Sequence, residues 1–383
     1  MIKKGLKKIN LHYAVLQQHH IPSVFKNLTY FNNQLINDDH SKINEIYSIR
    51  LIPSYFKLSY NDNTLRTKII KQQNWGYAIE LSSVSNVPEY LNNQFKNTPR
   101  KTIKRYLKRL EGCFNIEYKL FHGDISFETY QFLMECLHQM IINRFHQRKE
   151  IHKEIHQWNE LVETTYEKII KKQASLFVIF NESKPIEISL NYHFDKILFS
   201  SISSFDINYS KFGLGHVEIY KQLEWCIHNN YTVFEMGVGG MDYKRRWSNN
   251  IYQYEHFIIC SKKAGILSKI SSKIEICRIL LKEYLKAKKI NEAYEKLKLS
   301  VSKSKIKNTP QHQYISTPIN KEDTDFNNHQ KINYVLDEHA HIQKHIYDFL
   351  YSYMEHIKDI TVYKNQKGYY IIGQKKSVSL TTT

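Results

Sequence analysis

The chain has 383 residues, of which 42% are hydrophobic and 13% aromatic, so it holds enough apolar side chains for a sizeable core. This composition excludes an intrinsically disordered protein and leaves room for two domains or more. Lys and Arg (55) outnumber Asp and Glu (37), and the net charge of +18 predicts a polyanionic partner: a phosphate-rich donor, a nucleic acid or an anionic lipid.

The cysteine pattern and the N-terminus indicate the cellular compartment of the protein. Five cysteines stand at wide spacings without a Cys-x-x-Cys pair, which is typical of free thiols in a reducing cytosol. We therefore expect no bound metal. The basic N-terminus lacks an apolar core of signal-peptide length, and no segment approaches the ~18 apolar residues of a membrane span. The predicted location is cytoplasmic, with a peripheral position at the inner face of the membrane as an option.

The N-terminal part of the chain is predicted to alternate between polar and β-rich segments. Residues 1–45 are polar and irregular, with short helices, and strands rich in β-branched and aromatic residues follow at 46–60 and 75–82. A helix is predicted from Thr98 to Leu110, where Thr98 can cap it and a proline fits its first turn.

That helix is strongly basic. Residues 96–109 contain seven Lys and Arg side chains and no acid. The helix 98–109 is either a solvated face of an N-terminal domain or a binding surface for a nucleotide sugar, a lipid-linked phosphate or tRNA.

The elements predicted next are strands and amphipathic helices. In order they are a strand at 114–120, helices at 127–148 and 158–171, and strands at 176–179, 187–192 and 197–203. Short polar turns separate the last three strands, so they are predicted to form a meander.

Residues 197–247 carry the most informative pattern. The strand that begins this stretch leads to the tripeptide Gly213-Leu214-Gly215, a helix, a second strand at 233–236 and a Tyr-Lys-Arg-Arg-Trp run at 243–247. Free backbone amides at a helix start, together with the helix dipole, favour a bound anion. The pattern therefore predicts a site for a phosphate-bearing donor.

The order of these residues resembles the acyltransferase domain of the GNAT superfamily, in the branch found in cellulose and exopolysaccharide biosynthesis proteins and related to the Fem-type peptidoglycan aminoacyltransferases. The residues that carry the resemblance are Asp206, Tyr209, Gly213, Gly215, Glu224-Trp225, Phe234–Gly237, Tyr243-Lys244 and Trp247. The resemblance extends more weakly back to about Asn97. It departs from the family at Ser210, where the usual phosphate loop begins with Gln or Arg.

The resemblance implies an α/β (α+β) protein with a GNAT-like acyltransferase fold, built as a tandem of two GNAT-like halves with a helical basic C-terminal extension. The implied domains are 1–172, which includes the basic helix 98–109, a catalytic half at 173–262, and 263–383 with a basic helix, a linker and a small α/β extension.

The resemblance also implies a donor site for acyl-CoA, with acetyl-CoA as the first candidate. The donor would lie along the strand 197–205 with its diphosphate on the loop 210–216, where the glycines either let the backbone approach phosphate closely or only fit the turn. The implied donor-binding residues are Ser203, Phe205, Lys211, Phe212, Gly213, Leu214, Gly215 and His216.

Three residues are implied as catalytic: Asp206, Tyr243 and Lys244. Asp206 would orient the acceptor or take its proton, unless it only caps the following loop. Tyr243 would protonate the leaving thiolate and Lys244 would clamp an acidic group of the acceptor, unless both belong to a solvated helix start. The implied acceptor-binding residues are Tyr209, Asp242, Arg246 and Trp247.

The predicted function is transfer of an acyl group from acyl-CoA to an amine or hydroxyl of a sugar or cell-envelope precursor, by direct attack in a ternary complex. The acceptor would be a small molecule or a sugar-linked group. One alternative is a Fem-type aminoacyltransferase that uses aminoacyl-tRNA on a peptidoglycan precursor. Another is a non-catalytic basic module that binds nucleic acid or membrane.

The C-terminal part begins with a predicted closing strand at 251–260 and an amphipathic basic helix at 267–285. The apolar stripe of this helix either lies on an anionic membrane surface or docks on the catalytic domain. A linker is predicted at 300–331, followed by a helix at 342–357 and a hairpin at 360–372.

Overall fold

The computed structural model describes residues 5–39, 46–148, 158–290, 314–320, 329–335, 337–366 and 368–382. These residues belong to two compact units, each assembled from segments that are distant in the chain. The first unit draws on Met1–Ser85, Tyr192–Ser201 and Cys226–Ile306, and the second on Asn86–Asn191, Ile202–Trp225 and Lys307–Thr383. Much of the predicted linker at 300–331 lies outside the described residues.

The N-terminal elements contain more β-structure than the sequence predicts. They are β1 (Leu6–Asn10), α1 (Leu11–Leu16), β2 (Phe25–Tyr30), β3 (Asn33–Ile36), β4 (Ile46–Pro53), β5 (Phe56–Tyr60) and β6 (Leu65–Glu80). The prediction of an irregular stretch at 1–45 is therefore corrected. β1 has a polar sequence and becomes a strand because it pairs in parallel with β4, from Leu6 opposite Ile46 to Asn10 opposite Arg50.

The middle of the chain follows the prediction closely. Its elements are α2 (Val87–Gln94), α3 (Asn97–Cys113), β7 (Ile116–Phe121), α4 (Phe127–Arg148), α5 (Trp158–Ile170), β8 (Ala174–Asn181), β9 (Lys184–Phe194), β10 (Ile197–Phe205), a 3₁₀ helix (Ile207–Phe212) and α6 (Leu214–His228). The helix predicted at 127–148 and the three strands predicted before Asp206 are confirmed.

The C-terminal elements begin in the family motif. They are β11 (Val233–Val238), α7 (Asp242–Trp247), β12 (Asn250–Ser261), α8 (Ile266–Ala287), β13 (Tyr314–Ile319), β14 (Gln330–Lys331), α9 (Ala340–Tyr353), β15 (Thr361–Asn365), β16 (Gly368–Ile372) and β17 (Ser377–Thr382). Helix α9 is shorter than predicted because Met354 adopts a left-handed conformation, with φ at 53°. Part of the predicted linker forms β13, which pairs with β17.

The first unit is built on a mixed sheet in the order β1-β4-β12-β6-β11-β10, to which β10 contributes its residues up to Ser201. β12 runs antiparallel to both β4 and β6, whereas β10 and β11 pair in parallel. A parallel pair needs a long crossover connection, and the segment 202–225 that makes this one belongs to the second unit. For this reason the units interleave along the chain and differ from the three contiguous domains predicted.

The second unit contains β9, β8 and β7 in that order and a separate antiparallel sheet in the order β13-β17-β16-β15-β14. Helices α3 and α9 pack around the 3₁₀ helix that follows β10. The core they enclose includes Leu110, Phe114, Ile179, Tyr209, Phe212, Leu350 and Ile371. The backbone just before α6 is thus fixed by buried aromatic side chains.

The mixed α/β class predicted from the sequence is confirmed by these sheets and helices. The tandem arrangement of two GNAT-like halves stays a prediction. Across the described ranges, no helix is both long enough and apolar enough to cross a bilayer.

Candidate active site

The parallel strands β10 and β11 pair over a short distance. The register runs from Ile197 opposite Val233 to Phe199 opposite Glu235, although β10 continues to Phe205 and β11 to Val238. On its other side, β11 shifts register against β6 between Glu235 and Val238. Strand β11 therefore leaves regular pairing on both sides directly after Glu235.

Gly237 makes this departure sterically feasible. Its φ is +68°, in the left-handed region that favours glycine. A Cβ at this position would also lie 3.1 Å from Cε2 of Phe199. A larger residue would push against the ring that ends the paired segment of β10.

Glu235 is the centre of a buried polar cluster. Its side chain is fully buried, and its carboxylate accepts hydrogen bonds from the hydroxyl groups of Tyr55 (2.7 Å) and Tyr252 (2.8 Å) and from the amide of Gly237 (2.7 Å). Burial raises the pKa of Glu235 to about 7, against the opposing effect of these donors and of Lys244. Such a carboxyl is poised to exchange a proton near neutral pH.

The tyrosines extend this cluster. The hydroxyl groups of Tyr252 and Tyr254 lie 2.9 Å apart, and the ring of Tyr55 packs edge-on against that of Tyr252 at 4.8 Å. Burial raises the pKa of all three hydroxyl groups well above the usual value. At neutral pH all three stay protonated, and the hydroxyl groups of Tyr55 and Tyr252 stabilise a negative charge on Glu235 by donating to it.

Lys244 lies at the irregular part of β11. Its ammonium group donates to the carbonyl oxygens of Met236 (2.5 Å) and Val238 (3.3 Å). These carbonyls belong to the stretch where β11 has left regular pairing, so the side chain replaces part of the missing strand contacts. The positive charge also lowers the pKa of Glu235.

His12 completes the cluster from helix α1. It is 8% exposed, and its ring meets those of Phe199 and Tyr254 edge-on, at 4.7 and 5.8 Å. Burial and the charge of Lys244 lower its pKa to about 4, so the imidazole is neutral at pH 7. Its buried Nε2 has no hydrogen-bond partner within the described part of the chain.

A second group of predicted residues lies in the other unit, at the loop before α6. Asp206 caps the 3₁₀ helix by accepting from the amide of Asn208 (3.0 Å) and forms an ion pair with Lys184 (2.8 Å). These contacts agree with the alternative in which Asp206 caps the loop that follows it. Tyr209 is fully buried, and its hydroxyl accepts from the side-chain amide of Asn181 at 3.1 Å.

The two glycines of the loop have different environments. Gly213 has φ +61°, and a Cβ there would lie 2.6 Å from the ring of Tyr106, so both conformation and space require glycine. Gly215 lies in the first turn of α6, and a Cβ there would meet nothing within 4 Å. The amides of His216 (2.8 Å) and Val217 donate to the Gly213 carbonyl, and these hydrogen bonds hold the turn. The Cβ position of Gly215 faces open space.

The other predicted donor-binding residues divide between core and surface. Phe212 and Leu214 are fully buried, and Lys211 is exposed and lies 3.7 Å from Asp348. His216 stacks on the ring of Tyr106, with centroids 5.8 Å apart. Only the glycines and the partly exposed side chains therefore offer accessible atoms.

Ser203 and Phe205 lie near a buried pair of carboxyl groups that the sequence analysis did not single out. Glu187 and Glu218 are both buried, and Gln222 donates to Glu218 at 2.9 Å. Burial raises the pKa of Glu218 to about 7 against a hydrogen bond from Ser203, while burial and the neighbouring Glu218 raise that of Glu187 well above its usual value. The pair therefore shares protons at neutral pH.

A cation lies close to this pair. Arg144 lowers the pKa of both carboxyl groups, and its guanidinium lies over the ring of Phe205 at 4.6 Å. The aromatic ring and the two carboxyl groups thus hold the charge of Arg144 in a defined position beside the end of β10.

The predicted catalytic and acceptor-binding residues on α7 occupy both faces of that helix. Asp242 and Arg246 are exposed and form an ion pair one turn apart, Tyr243 is partly buried, and Trp247 is fully buried. These positions agree with the alternative in which Tyr243 and Lys244 belong to a solvated helix start that Trp247 anchors.

The structure therefore gathers Lys244 with residues that sequence reasoning missed. Glu235, His12 and Tyr252 come from three elements and Tyr55 from the turn between β4 and β5, and no local spacing connects them. One signal existed: a single acidic residue inside the apolar strand Val233–Met236 is unusual unless it is paired. Among the described residues, no three His, Cys, Asp or Glu side chains are grouped to hold a metal ion.

Residues 98–245 match the profile of the acetyltransferase (GNAT) domain family. Fold and match together define the class: a mixed α/β protein with a segment similar to GNAT acetyltransferases. The match covers less than half of the chain. It includes Asp206, Glu235 and Lys244 but ends before Arg246, Trp247 and Tyr252.

Several solved structures align with the chain. A conserved protein of unknown function from Bacteroides thetaiotaomicron VPI-5482 is 8% identical, with a TM-score of 0.39, covering 56% of this chain and 70% of its own. FemX is 10% identical, with a TM-score of 0.39 and coverage of 55% and 71%. The C-terminal DUF2156 domain of a protein from Agrobacterium fabrum is 8% identical, with a TM-score of 0.35 and coverage of 58% and 70%. No curated protein matches the sequence.

Proposed function

We propose that the protein is a GNAT-type acyltransferase that moves an acyl group from acyl-CoA to an amine or hydroxyl. The acceptor is a small-molecule or sugar-linked cell-envelope precursor of the kind used in polysaccharide biosynthesis. The observation that carries this proposal is the end of the β10–β11 pairing at Phe199 and Glu235. In the family that the sequence resembles, the donor lies along a strand that separates from its neighbour in this way.

The loop before α6 supports a role in binding the diphosphate of the donor. Gly215 lies in the first turn of α6 with open space at its Cβ position, and Gly213 holds the turn in a left-handed conformation. A helix start of this kind presents amides and a positive dipole end to an anion. Lys211 and His216 flank the turn and supply further positive or donor groups.

Glu235 supports a role as the general base. In the proposed reaction the acceptor N–H or O–H attacks the thioester carbonyl, its proton passes to the Glu235 carboxylate, and the C–S bond breaks to release CoA thiolate. A carboxyl with a pKa near 7 holds the required ionised form in about half of the molecules at neutral pH. Asp206 stays an alternative base, Tyr243 the proposed acid for the thiolate and Lys244 a positive charge for the acceptor.

Calorimetric titration of the full chain with acetyl-CoA and longer acyl-CoA esters tests the donor. We expect Gly215→Asp to abolish binding without loss of the fold, because its carboxylate would lie against the donor phosphates. The matched control is Gly265→Asp, which also has open space around its Cβ position. Absence of acyl-CoA binding, or unchanged affinity in Gly215→Asp, would contradict the proposal.

A second candidate function uses aminoacyl-tRNA as the donor and a peptidoglycan precursor as the acceptor. It is favoured by the net charge of +18 and by α3, whose Lys101, Lys104, Arg105 and Lys108 are exposed. Filter binding with tRNA separates it from the first. Binding of tRNA that Lys104→Glu/Lys108→Glu removes, without any acyl-CoA binding, would favour this candidate, while salt-sensitive binding without turnover of either donor would favour a non-catalytic module.

A further inference from the structure

We infer that the outward face of helix α8 is a docking surface for an anionic lipid bilayer. The outward face is defined by Leu267, Ile270, Ile274, Cys277, Leu281 and Tyr284, together with the cations beside them. This inference is independent of the proposed chemistry, because it concerns a helix that lies outside both the matched segment and the candidate active site.

Helix α8 attaches to the first unit through its polar side. Its buried residues are Glu275, Ile279 and Glu283, which recur at one helical turn. Glu275 accepts from the hydroxyl of Ser48 (3.1 Å), and Glu283 accepts from the backbone amide of Gln73 (2.6 Å). The two glutamate side chains of α8 therefore point towards the first unit and hold the helix against β4 and β6.

The apolar stripe faces the other way. Leu267 is 81% exposed, Ile274 54% and Leu281 59%. The stripe advances by alternating steps of three and four residues from Leu267 to Tyr284, so it stays on one side of the helix for five turns. The stripe is therefore exposed rather than docked on the catalytic domain, which was the other option for this helix.

An apolar stripe of this length on a solvent face indicates a partner. Scattered exposed leucines are ordinary, but a continuous row on one helix is not. Among the residues that the structure describes, the larger apolar side chains of this stripe on α8 stay uncovered.

The charges identify the partner. On a helical projection, Lys269 and Lys273 lie on one side of the stripe and Arg278 and Lys282 on the other, all four exposed. Glu275 and Glu283 are buried on the opposite side, so the exposed charges of this helix are all positive. Lysine and arginine flanking an apolar stripe is the arrangement of a helix that lies in the interface of an anionic membrane.

The same charges disfavour a second copy of the chain as the occupant. Two such faces would bring eight exposed cations together, four from each helix, around one apolar contact. Like charges at that distance repel, although the buried Glu275 pairs with Arg278 at 3.2 Å and offsets one of the four positive charges on each helix. A bilayer with anionic headgroups supplies both the apolar phase and the counter-charge.

Vesicle sedimentation of the full chain tests this inference. We expect binding to vesicles of phosphatidylcholine mixed with phosphatidylglycerol, no binding to phosphatidylcholine alone, and weaker binding as salt screens the charges. Lys269→Gln/Lys273→Gln should weaken binding roughly 25-fold, since each cation near the surface contributes about fivefold. Leu267→Ser/Ile270→Ser/Ile274→Ser should abolish it.

The control is Ile36→Ser, a 69% exposed apolar residue on β3, which should bind as the unaltered chain does. Near-ultraviolet circular dichroism verifies that each variant is folded. Failure of the unaltered chain to sediment with anionic vesicles would overturn the inference. So would a dimer, seen by light scattering, that the triple serine variant dissociates, because the stripe would then be a self-association surface.

Discussion

The carboxylate of Glu235 accepts a hydrogen bond at 2.7 Å from the amide of Gly237, only two residues further along β11. In this bond the backbone of β11 turns towards the side chain of Glu235. The left-handed φ of Gly237 is the backbone conformation that permits the turn. The residue at which β11 leaves its neighbours is thus also the residue whose carboxyl pKa is shifted to about 7. Burial raises this pKa, and the hydrogen bond from Gly237 opposes the rise.

Glu235→Gln should lower kcat/KM for acyl transfer by about 10²–10⁴-fold, because the amide cannot take a proton from the acceptor. In the unaltered protein kcat/KM should rise with pH through about 7, as the carboxyl ionises, and this rise should disappear in the variant. Steady-state kinetics across pH provide the measurement. Glu117→Gln, at an exposed position of β7, is the control, and equal losses in both variants would contradict the assigned role.

Tyr252→Phe should move the pH midpoint of activity upward. The variant removes a donor that stabilises the ionised form of Glu235, so the pKa of that carboxyl rises further. Loss of the bond to a buried acceptor should also cost about 1–3 kcal/mol in the free energy of unfolding. Urea unfolding and the pH profile are read together, with the buried Tyr77→Phe as control; an unmoved midpoint would count against the cluster.

Glu218→Gln should stabilise the protein above neutral pH. Burial raises the pKa of Glu218 from 4.5 to about 7, so its contribution to stability is fully present below pH 4.5 and is lost as pH rises through 7. Glutamine stays neutral and keeps an oxygen for the donor group of Gln222. At pH 8 we expect a gain of about 1–3 kcal/mol in the free energy of unfolding.

Urea unfolding at pH 5 and pH 8 measures this effect. The gain should be small at pH 5, where the glutamate of the folded protein is already protonated. A variant that is equally destabilised at both pH values would show that burial of the charge is not the dominant effect.

Gly213→Ala and Gly215→Ala should have opposite effects on stability. The left-handed φ of Gly213 alone should cost about 1–3 kcal/mol, and the new methyl group would press on the ring of Tyr106. Gly215 lies in a helix with open space, so alanine should leave the free energy of unfolding unchanged or raise it by about 0.4–1 kcal/mol.

Thermal unfolding separates the two variants, and titration with acyl-CoA follows on Gly215→Ala. If Gly215 faces the donor phosphates, affinity should fall although stability does not. A weaker fold in Gly215→Ala would show instead that the open space is filled by the protein in solution.

Local patterns predicted much of the middle of the chain. The helix at Phe127–Arg148 and the strands β8, β9 and β10 follow from apolar periodicity and short polar turns, which act over a few residues. β1 could not be predicted in this way because its sequence is polar and only pairing with β4 makes it a strand. The interleaved units were missed for a related reason, since parallel pairing joins segments that a long crossover separates.

By itself the sequence determined the mixed α/β class, the glycine turn before α6, and the apolar and basic character of α8. Each depends on residue types at fixed short spacings. Only the tertiary structure decided that Glu235 is fully buried among Tyr55, Tyr252 and His12, and that the stripe of α8 faces outward. Those outcomes depend on which distant segments pack together, because a shifted pKa and an exposed face are properties of surroundings rather than of a residue and its neighbours in the chain.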